Sequence, residues 1–196
     1  MNFFNSDVTF KQFISELFME QEQKFDSNYY YVSFKLNGAY KNWLLEYQNL
    51  ITDDVIYNNE TESFGREFNP HITIMYPLTE DCLEQLKGFC STFPESNLVY
   101  FSELSIFKNE EKDYDVLVAK VDDVSGVLTK IHNFCMKFSN NWEYPYYEPH
   151  CTIAYVKKGI CDCFDGKPIE DLPPLLINEI SYLDPDGNET VISIGG

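Results

Sequence analysis

The order of apolar and polar positions along the chain predicts a succession of helices and strands. Residues 6–24 carry apolar side chains at i, i+3, i+4, i+7 and i+8, which is the spacing of one helical face. The next stretch, YYYVSFKLNG from Tyr29, alternates between two faces and ends at the Asn37-Gly38 turn, which predicts a strand. A second helical spacing then includes Trp43, Leu44, Tyr47, Leu50 and Ile51.

From Tyr29 onwards the same order of elements occurs twice. The β-branched strand HITIMY closes at Pro77, and a helix follows over residues 83–93. Two strands, VYFSELSIF and YDVLVAKV, then lead into a helix over residues 128–138 and a second histidine-containing strand. The tail adds a predicted hairpin of LLINEISYL and ETVISI around the turn DPDG. Each half therefore has a plain strand, a helix and a strand that opens with Pro-His-x-Thr.

This repeated order predicts the α+β (mixed α/β) class. We expect two pseudo-symmetric lobes, each a small, mostly antiparallel sheet with packed helices, around a central cleft. No stretch of the 196 residues has the composition of a linker, so residues 1–196 are expected to form one domain.

Two of the three histidines lie in a phrase that occurs twice, as NPHITIMYPL and as EPHCTIAYVK. Successive side chains of a strand point to opposite faces, so His71 shares a face with Thr73, and His150 with Thr152. A single histidine in an apolar strand is more often a packed core residue than a catalyst. Identical spacing in two equivalent elements favours a functional role instead.

Two imidazoles and two hydroxyls that face one point suit phosphodiester chemistry. One neutral imidazole can take a proton from an attacking hydroxyl or water, while the other, protonated, donates to the leaving oxygen. The threonine hydroxyls can donate to the non-bridging oxygens, where charge accumulates. No carboxylate accompanies the histidines at zinc-ligand spacing, so we expect metal-independent chemistry without a cofactor.

The paired motifs in a duplicated strand and helix frame resemble the two-histidine (2H) phosphoesterase superfamily, which includes RNA ligase-like and cyclic phosphodiesterase proteins. The stretches GREFNPHITIMYPL, IFKNEEKDYDVL and YPYYEPHCTIAYVKKG look most like its phage-encoded branch. The resemblance implies that His71, Thr73, His150 and Thr152 form the catalytic set. Many RNA-processing members carry an arginine shortly after the second motif, whereas this chain has Tyr155 there, followed by Lys157 and Lys158.

Several other residues are candidates for binding the substrate, with ordinary packing as the alternative for each. The aromatic side chains could stack on bases and the basic ones could meet phosphate, and the set is Tyr31, Lys35, Arg66, Phe107 and Tyr147. His132, the third histidine, flanks the apolar stripe of its helix, and we expect it at the surface.

The net charge of the chain indicates which kinds of ligand the protein can bind. With 14 basic and 32 acidic residues, a net charge of −18, the protein is a poor binder of long nucleic acid. A small anionic substrate remains compatible with a locally basic cleft. The six cysteines do not have zinc-site spacing, and no secretory signal or membrane-spanning run is evident, so we expect free thiols and a cytoplasmic location.

The sequence thus predicts a phosphodiesterase for small cyclic nucleotides or short oligonucleotides. The phage-like resemblance implies that the substrates are cyclic oligonucleotide immune signals of a host cell. One alternative is an RNA-end 2′,3′-cyclic phosphodiesterase or a 2′-5′ RNA phosphodiesterase or ligase. Another is a sponge that binds a signal nucleotide without cutting it. The oligomeric state, the base and the linkage stay open.

Overall fold

The computed structural model describes residues 28–58, 65–108, 110–170 and 172–195. The helix predicted over residues 6–24 lies outside these ranges. The described strands, in chain order, are β1 (Tyr30–Lys35), β2 (His71–Leu78), β3 (Leu98–Phe107), β4 (Tyr114–Asp122), β5 (His150–Lys157), β6 (Leu175–Leu176), β7 (Glu179–Leu183) and β8 (Glu189–Ser193). The described α-helices are α1 (Gly38–Gln48), α2 (Leu83–Cys90) and α3 (Val127–Cys135).

The strands form one eight-stranded sheet in the order β6-β3-β4-β5-β2-β1-β7-β8. Every strand pairing is antiparallel. The two histidine-bearing strands lie at the centre, and each half continues outwards with its own plain strand, β1 or β4. The predicted α+β class and pseudo-symmetric halves are therefore confirmed, with the two sheets joined into one.

The C-terminal tail differs from the single hairpin that the sequence predicts. The strands β7 and β8 do form a hairpin beside β1. The preceding strand β6 pairs instead with β3, at the opposite end of the sheet. The tail therefore runs from one half of the sheet to the other, which local turn signals cannot indicate.

The helices cover one face of the sheet and define which side chains are buried. Alternate residues of the central strands have no exposed surface, namely Ile72 and Ile74 in β2 and Cys151 and Ile153 in β5. Burial of this apolar area drives the packing of helices on the sheet, at about 25 cal/mol per Å². The residues between them therefore point to the other face. Among the helices in the described part of the chain, none is both long and apolar enough to cross a bilayer.

The two central strands, β2 and β5, pair directly at one residue pair, Ile72 with Cys151. Beyond that pair β2 and β5 separate, so both strands need other partners for their backbone groups. On β5, the loop before β2 supplies them: the Glu67 N–H donates to the Ile153 carbonyl at 3.0 Å. The Tyr57 N–H donates to the Tyr155 carbonyl, also at 3.0 Å.

On β2, the Asn141 N–H donates to the Pro77 carbonyl at 3.1 Å, and side chains supply further partners, of which His132 is one. Its Nδ1 donates to the Ile74 carbonyl at 2.8 Å, and its ring stacks on Tyr147 with a centroid distance of 4.3 Å. Trp142 packs against the same ring, which is only 3% exposed. The expectation of a surface histidine is therefore wrong, because His132 packs inward and donates to the carbonyl of Ile74, the residue skipped in the register of β1 with β2.

This environment makes stability depend on pH through His132. Burial lowers the pKa of the ring, so the unfolded chain, with an ordinary value of about 6.5, takes up the proton first as the pH falls. The stabilising effect of the neutral ring is complete above about pH 6.5 and is lost as the pH falls towards the lowered value. We expect His132→Asn, which keeps an N–H donor but does not titrate, to weaken this acid dependence.

The measurement is urea unfolding at a series of pH values between about 4.5 and 7.5, bracketing the histidine range. At the upper end the variant should be less stable by about 1–3 kcal/mol, since the stacked ring is lost. An identical pH slope in the two proteins would show that His132 does not titrate across this range.

Candidate active site

The two Pro-His-x-Thr phrases meet at the Ile72–Cys151 pair. Because the two strands run antiparallel, His71 and Thr152 lie on one side of that pair and Thr73 and His150 on the other. All four lie on the face away from the helices and are half-buried. The two imidazoles and two hydroxyls therefore share one face of the sheet, on either side of the Ile72–Cys151 pair.

Each imidazole is held in the same way by the backbone of its own motif. The carbonyl of Asn69 lies 2.8 Å from Nδ1 of His71, and the carbonyl of Glu148 lies 2.7 Å from Nδ1 of His150. A carbonyl can only accept, so Nδ1 carries the proton in both rings. Nε2 of each ring is therefore the nitrogen left for proton transfer.

The backbone around the motifs is also duplicated. The Leu36 N–H donates to the carbonyl of Pro70, and the Val121 N–H donates to the carbonyl of Pro149, both at 2.9 Å. These bonds fix the neighbouring strands, so that a lysine lies directly across from each histidine. The equivalence therefore extends to hydrogen bonds outside the repeated phrase.

The environments of the two histidines differ. Burial lowers the pKa of His150, and the nearby charge of His71 acts in the same direction, against the hydrogen bond to the Glu148 carbonyl. The ring of Phe107 covers His150 at a centroid distance of 4.7 Å and an angle of 68°. His150 is thus the ring whose surroundings favour the neutral form.

Glu67 is the charged neighbour of His71. Its Oε1 accepts from the Asn69 N–H at 2.7 Å, and Asn69 is the residue whose carbonyl holds the His71 ring. Burial raises the pKa of Glu67, while the charge of His71 lowers it. Burial is the larger of the two effects, so the pKa of Glu67 lies above its ordinary value.

Tyr31 and Tyr147 reach the first motif as supporting residues. The hydroxyl of Tyr31 is 2.8 Å from Oγ1 of Thr73, and its ring meets His71 edge-on at 5.8 Å. Burial raises the pKa of Tyr31 well above its ordinary value, so the phenol keeps its proton. The hydroxyl of Tyr147 donates to the carbonyl of Thr73 at 3.1 Å.

These contacts correct three of the substrate-binding assignments. Tyr31 is buried, and the ring of Tyr147 stacks on His132, so neither ring is an open platform for a base. Arg66 pairs with Ala154 through its backbone, and its guanidinium binds the Ile51 carbonyl at 2.6 Å and Asp53 at 2.7 Å. Those partners lie just beyond α1, so Arg66 does not face the histidines.

The other two candidates lie next to the histidines. Phe107 packs on His150 as described above, and Lys35 is the cross-strand partner of His71. Two lysines that follow the second motif point elsewhere. Lys157 donates to the carbonyl of Asp54 at 2.6 Å, and Lys158 donates to the carbonyl of Glu110 at 3.1 Å.

Tyrosines border the site along the second half of β5. Tyr155 meets Tyr114 edge-on at 5.5 Å, and Tyr114 meets Tyr57 at 5.2 Å. Burial raises the pKa of Tyr155 to about 12, and the charge of Glu67 adds to the effect. Tyr144, in the loop before β5, is 70% exposed and offers an aromatic surface on which a base can stack.

Sequence reasoning missed Lys120 and Glu67. A signal for Lys120 was present, because SFKLN and VAKVD both place a lysine as the last outward residue of the strand before each helix. No comparable signal exists for Glu67. Its position depends on the loop that pairs with β5 where β2 departs.

The described residues, 28–58, 65–108, 110–170 and 172–195, contain no cluster of three or more histidine, cysteine, aspartate or glutamate side chains that could hold a metal ion. All six cysteines are free thiols, and five of them are buried.

Comparison with known proteins identifies the fold. No family model and no curated protein sequence matches the chain. Among solved structures, Usb1 of Kluyveromyces marxianus superposes with a TM-score of 0.56 at 10% identity, over 85% of this chain and 98% of Usb1. The uridine monophosphate complex of the same protein gives 0.55 at 10% identity, over 87% of this chain and 100% of that one.

A bacterial structure shows the same likeness. LigT of E. coli in complex with 3′-AMP gives a TM-score of 0.50 at 10% identity, covering 85% of this chain and 94% of LigT. Identity at this level shows a shared fold and no residue roles. The chain therefore has the 2H phosphoesterase fold.

The bond between Tyr31 and Thr73 can be tested by a double-mutant cycle of unfolding. Tyr31→Phe and Thr73→Val each remove one hydroxyl and keep the shape of the side chain. We expect a coupling energy of about 0.5–1.5 kcal/mol between the two changes. Thr152→Val, which removes the equivalent hydroxyl of the second motif, is the matched control and should add independently to Tyr31→Phe. Equal coupling to both threonines would argue against a specific bond.

Proposed function

We propose that this protein is a phosphodiesterase in which His71 and His150 exchange protons with the substrate. The observation that supports this most strongly is the identical anchoring of both rings through Nδ1 on adjacent strands. Two anchored imidazoles with both Nε2 atoms on one face are the arrangement needed for general acid–base catalysis. A protein that only binds a nucleotide has no need of two such groups.

In this mechanism His150 is the general base. Its surroundings favour the neutral ring, so Nε2 can accept a proton from the attacking hydroxyl or water. His71 is the general acid, because it is the second ring of the pair and is anchored through Nδ1 in the same way, with Glu67 bonded to the Asn69 N–H beside it. The acid then protonates the leaving oxygen. His150 afterwards releases its proton to solvent and His71 takes one up, which restores the starting state of both rings.

The threonines stabilise the charge that develops on the phosphorus oxygens. Tyr31 stays protonated and can donate to Oγ1 of Thr73, which leaves the threonine proton for a non-bridging oxygen. Thr152 occupies the equivalent position of the second motif and supplies the second donor. All four groups are protein atoms, so the mechanism needs no metal ion.

We propose small cyclic nucleotides or short oligonucleotides as substrates. The net charge of −18 disfavours long nucleic acid, whereas the lysines beside the histidines provide local positive charge. The motif resemblance to the phage-encoded branch favours cyclic oligonucleotide immune signals in the cytoplasm of a host cell.

A second candidate is processing of RNA ends that carry a 2′,3′-cyclic phosphate. It is favoured by the structural neighbours, which were solved with uridine monophosphate and with 3′-AMP. Those ligands are mononucleotides, so a site of this fold accommodates a single base and phosphate. The tyrosines along β5 would then hold the terminal base.

A substrate panel tests the proposal directly. Cyclic dinucleotides, cyclic trinucleotides, 2′-5′ oligoadenylates and 2′,3′-cyclic nucleotides should include at least one compound that the protein cleaves in excess chelator. His71→Ala and His150→Ala should each reduce kcat on that compound by about 10²–10⁴-fold, the usual contribution of a positioned acid or base.

Circular dichroism and thermal unfolding of both variants provide the control for folding. Tight binding without cleavage would identify a sponge, and near-normal turnover in either variant would exclude the two-imidazole mechanism.

The dependence of kcat/KM on pH tests the roles of the two rings. The base must be neutral, and burial lowers the pKa of His150, so kcat/KM should rise with pH and reach half its maximum below about pH 6.5. The value should fall again at higher pH, when the acid loses its proton. Phe107→Ala exposes His150 and should move the rising limb to higher pH.

The quantity compared is the pH at which kcat/KM reaches half its maximum, because Phe107→Ala could also change substrate affinity and thereby the height of the profile. Tyr57→Phe, which keeps its aromatic ring beside Tyr114, is the control and should leave the limb in place. A rising limb above pH 6.5 in the wild-type protein, or one that Phe107→Ala does not move, would contradict the assignment of His150 as the base.

A further inference from the structure

Lys35 and Lys120 occupy equivalent places in the two halves of the sheet. Lys35 pairs with His71 across β1 and β2, and Lys120 pairs with His150 across β4 and β5. The residue after each lysine donates its N–H to the carbonyl of the proline in the motif. Cross-strand partners lie on the same face of a sheet, so both lysines are on the face of the histidines.

Both lysines lean away from the centre of the site. Lys35 reaches Glu189 on β8 at 2.6 Å, and Lys120 reaches Glu103 on β3 at 3.4 Å. The intervening strands β2 and β5 separate the two lysine backbones by three strand spacings, roughly 14 Å. The two ammonium groups therefore lie on opposite sides of the histidines and not at the point where the reaction occurs.

These two cations remain accessible to a ligand. The side chain of Lys35 is 60% exposed and that of Lys120 is 36% exposed. Ion pairs at this exposure contribute about 0–1 kcal/mol, so a phosphate can displace the glutamate as partner of the ammonium group. In a chain with 32 acidic residues, a lysine placed across from each histidine supplies local charge that an anionic ligand needs.

We propose that Lys35 and Lys120 anchor the phosphates that flank the phosphodiester held at the histidines. This rests on the proposed function and deepens it, because it selects the class of substrate. A ligand with a single phosphodiester cannot engage both lysines at once, whereas a chain or ring with phosphates on either side can. The site is therefore built for cyclic or linear oligonucleotides and not for 2′,3′-cyclic mononucleotides.

Equilibrium binding provides the test, with cyclic triadenylate, cyclic diadenylate and 2′,3′-cyclic AMP as probes. All lysine variants are made in a His71→Ala, His150→Ala background, so that no probe is consumed. Lys35→Ala and Lys120→Ala should each weaken binding of cyclic triadenylate by about three- to tenfold, as expected for the net loss of one hydrogen bond at a solvent-exposed site. Binding of 2′,3′-cyclic AMP should change less than twofold.

The matched control is Lys87→Ala. Lys87 forms a similar ion pair with Glu84 at 2.7 Å, but it lies on α2, which packs on the opposite face of the sheet. Its removal should leave the affinity for all three probes unchanged. The Glu103→Gln variant supplies the opposite change, because it frees Lys120 and should tighten binding of cyclic triadenylate.

The outcomes separate this proposal from the proposed function. Equal losses for all three probes, no loss for any of them, or no binding of cyclic triadenylate would overturn the role of the lysines, whatever the protein cleaves. If the wild-type protein cleaves nothing but the graded losses are observed, the lysine anchors stand and the catalytic proposal falls. Weaker binding by Glu103→Gln would show that the ion pair serves the fold instead of the ligand.

Discussion

The pairing of Ile72 with Cys151 is the constraint on which the rest of the structure depends. Both side chains are fully buried, and they fix which face of the two central strands points to the helices. Since side chains alternate along a strand, this burial forces both histidines and both threonines onto the opposite face. A slip of one residue in either strand would move the histidine and the threonine of that strand into the core. Packing of the core thus sets the geometry of the site.

The short pairing of β2 with β5 also opens the sheet and leaves backbone hydrogen-bonding groups of both strands without a partner in the other strand. Because β2 and β5 share one residue pair and then separate, each leaves backbone groups that must find partners elsewhere. A loop supplies them on β5, and this loop carries Glu67 to the side of His71. On β2 they come from the loop after α3 and from the side chains of His132 and Tyr147, which accounts for the inward position of both rings. The residues that complete the hydrogen bonding of the central strands are therefore also those that surround the candidate site.

Sequence periodicity correctly predicted the features that depend on residues close together in the chain, which are the helices and the faces of the strands. The helices over residues 83–93 and 128–138 appear with slightly earlier ends, and the two motifs form strands with the expected faces. The misplaced residues depend on partners that are distant in sequence. His132 bonds to a carbonyl 58 positions away, and β6 pairs with β3 across the sheet. The guanidinium of Arg66 binds the Ile51 carbonyl just beyond α1, and the sequence pattern does not indicate that these two residues are close.

Duplication explains the geometry of the site but not the difference between its two histidines. The repeated backbone bonds place His71 and His150 in equivalent positions, which alone would give two identical imidazoles. Acid–base catalysis needs one charged and one neutral ring at the same time. The residues that separate them are not duplicated: the ring of Phe107 covers His150, and the carboxylate of Glu67 lies beside His71. On the proposed mechanism, the direction of proton transfer is therefore set by residues outside the repeat.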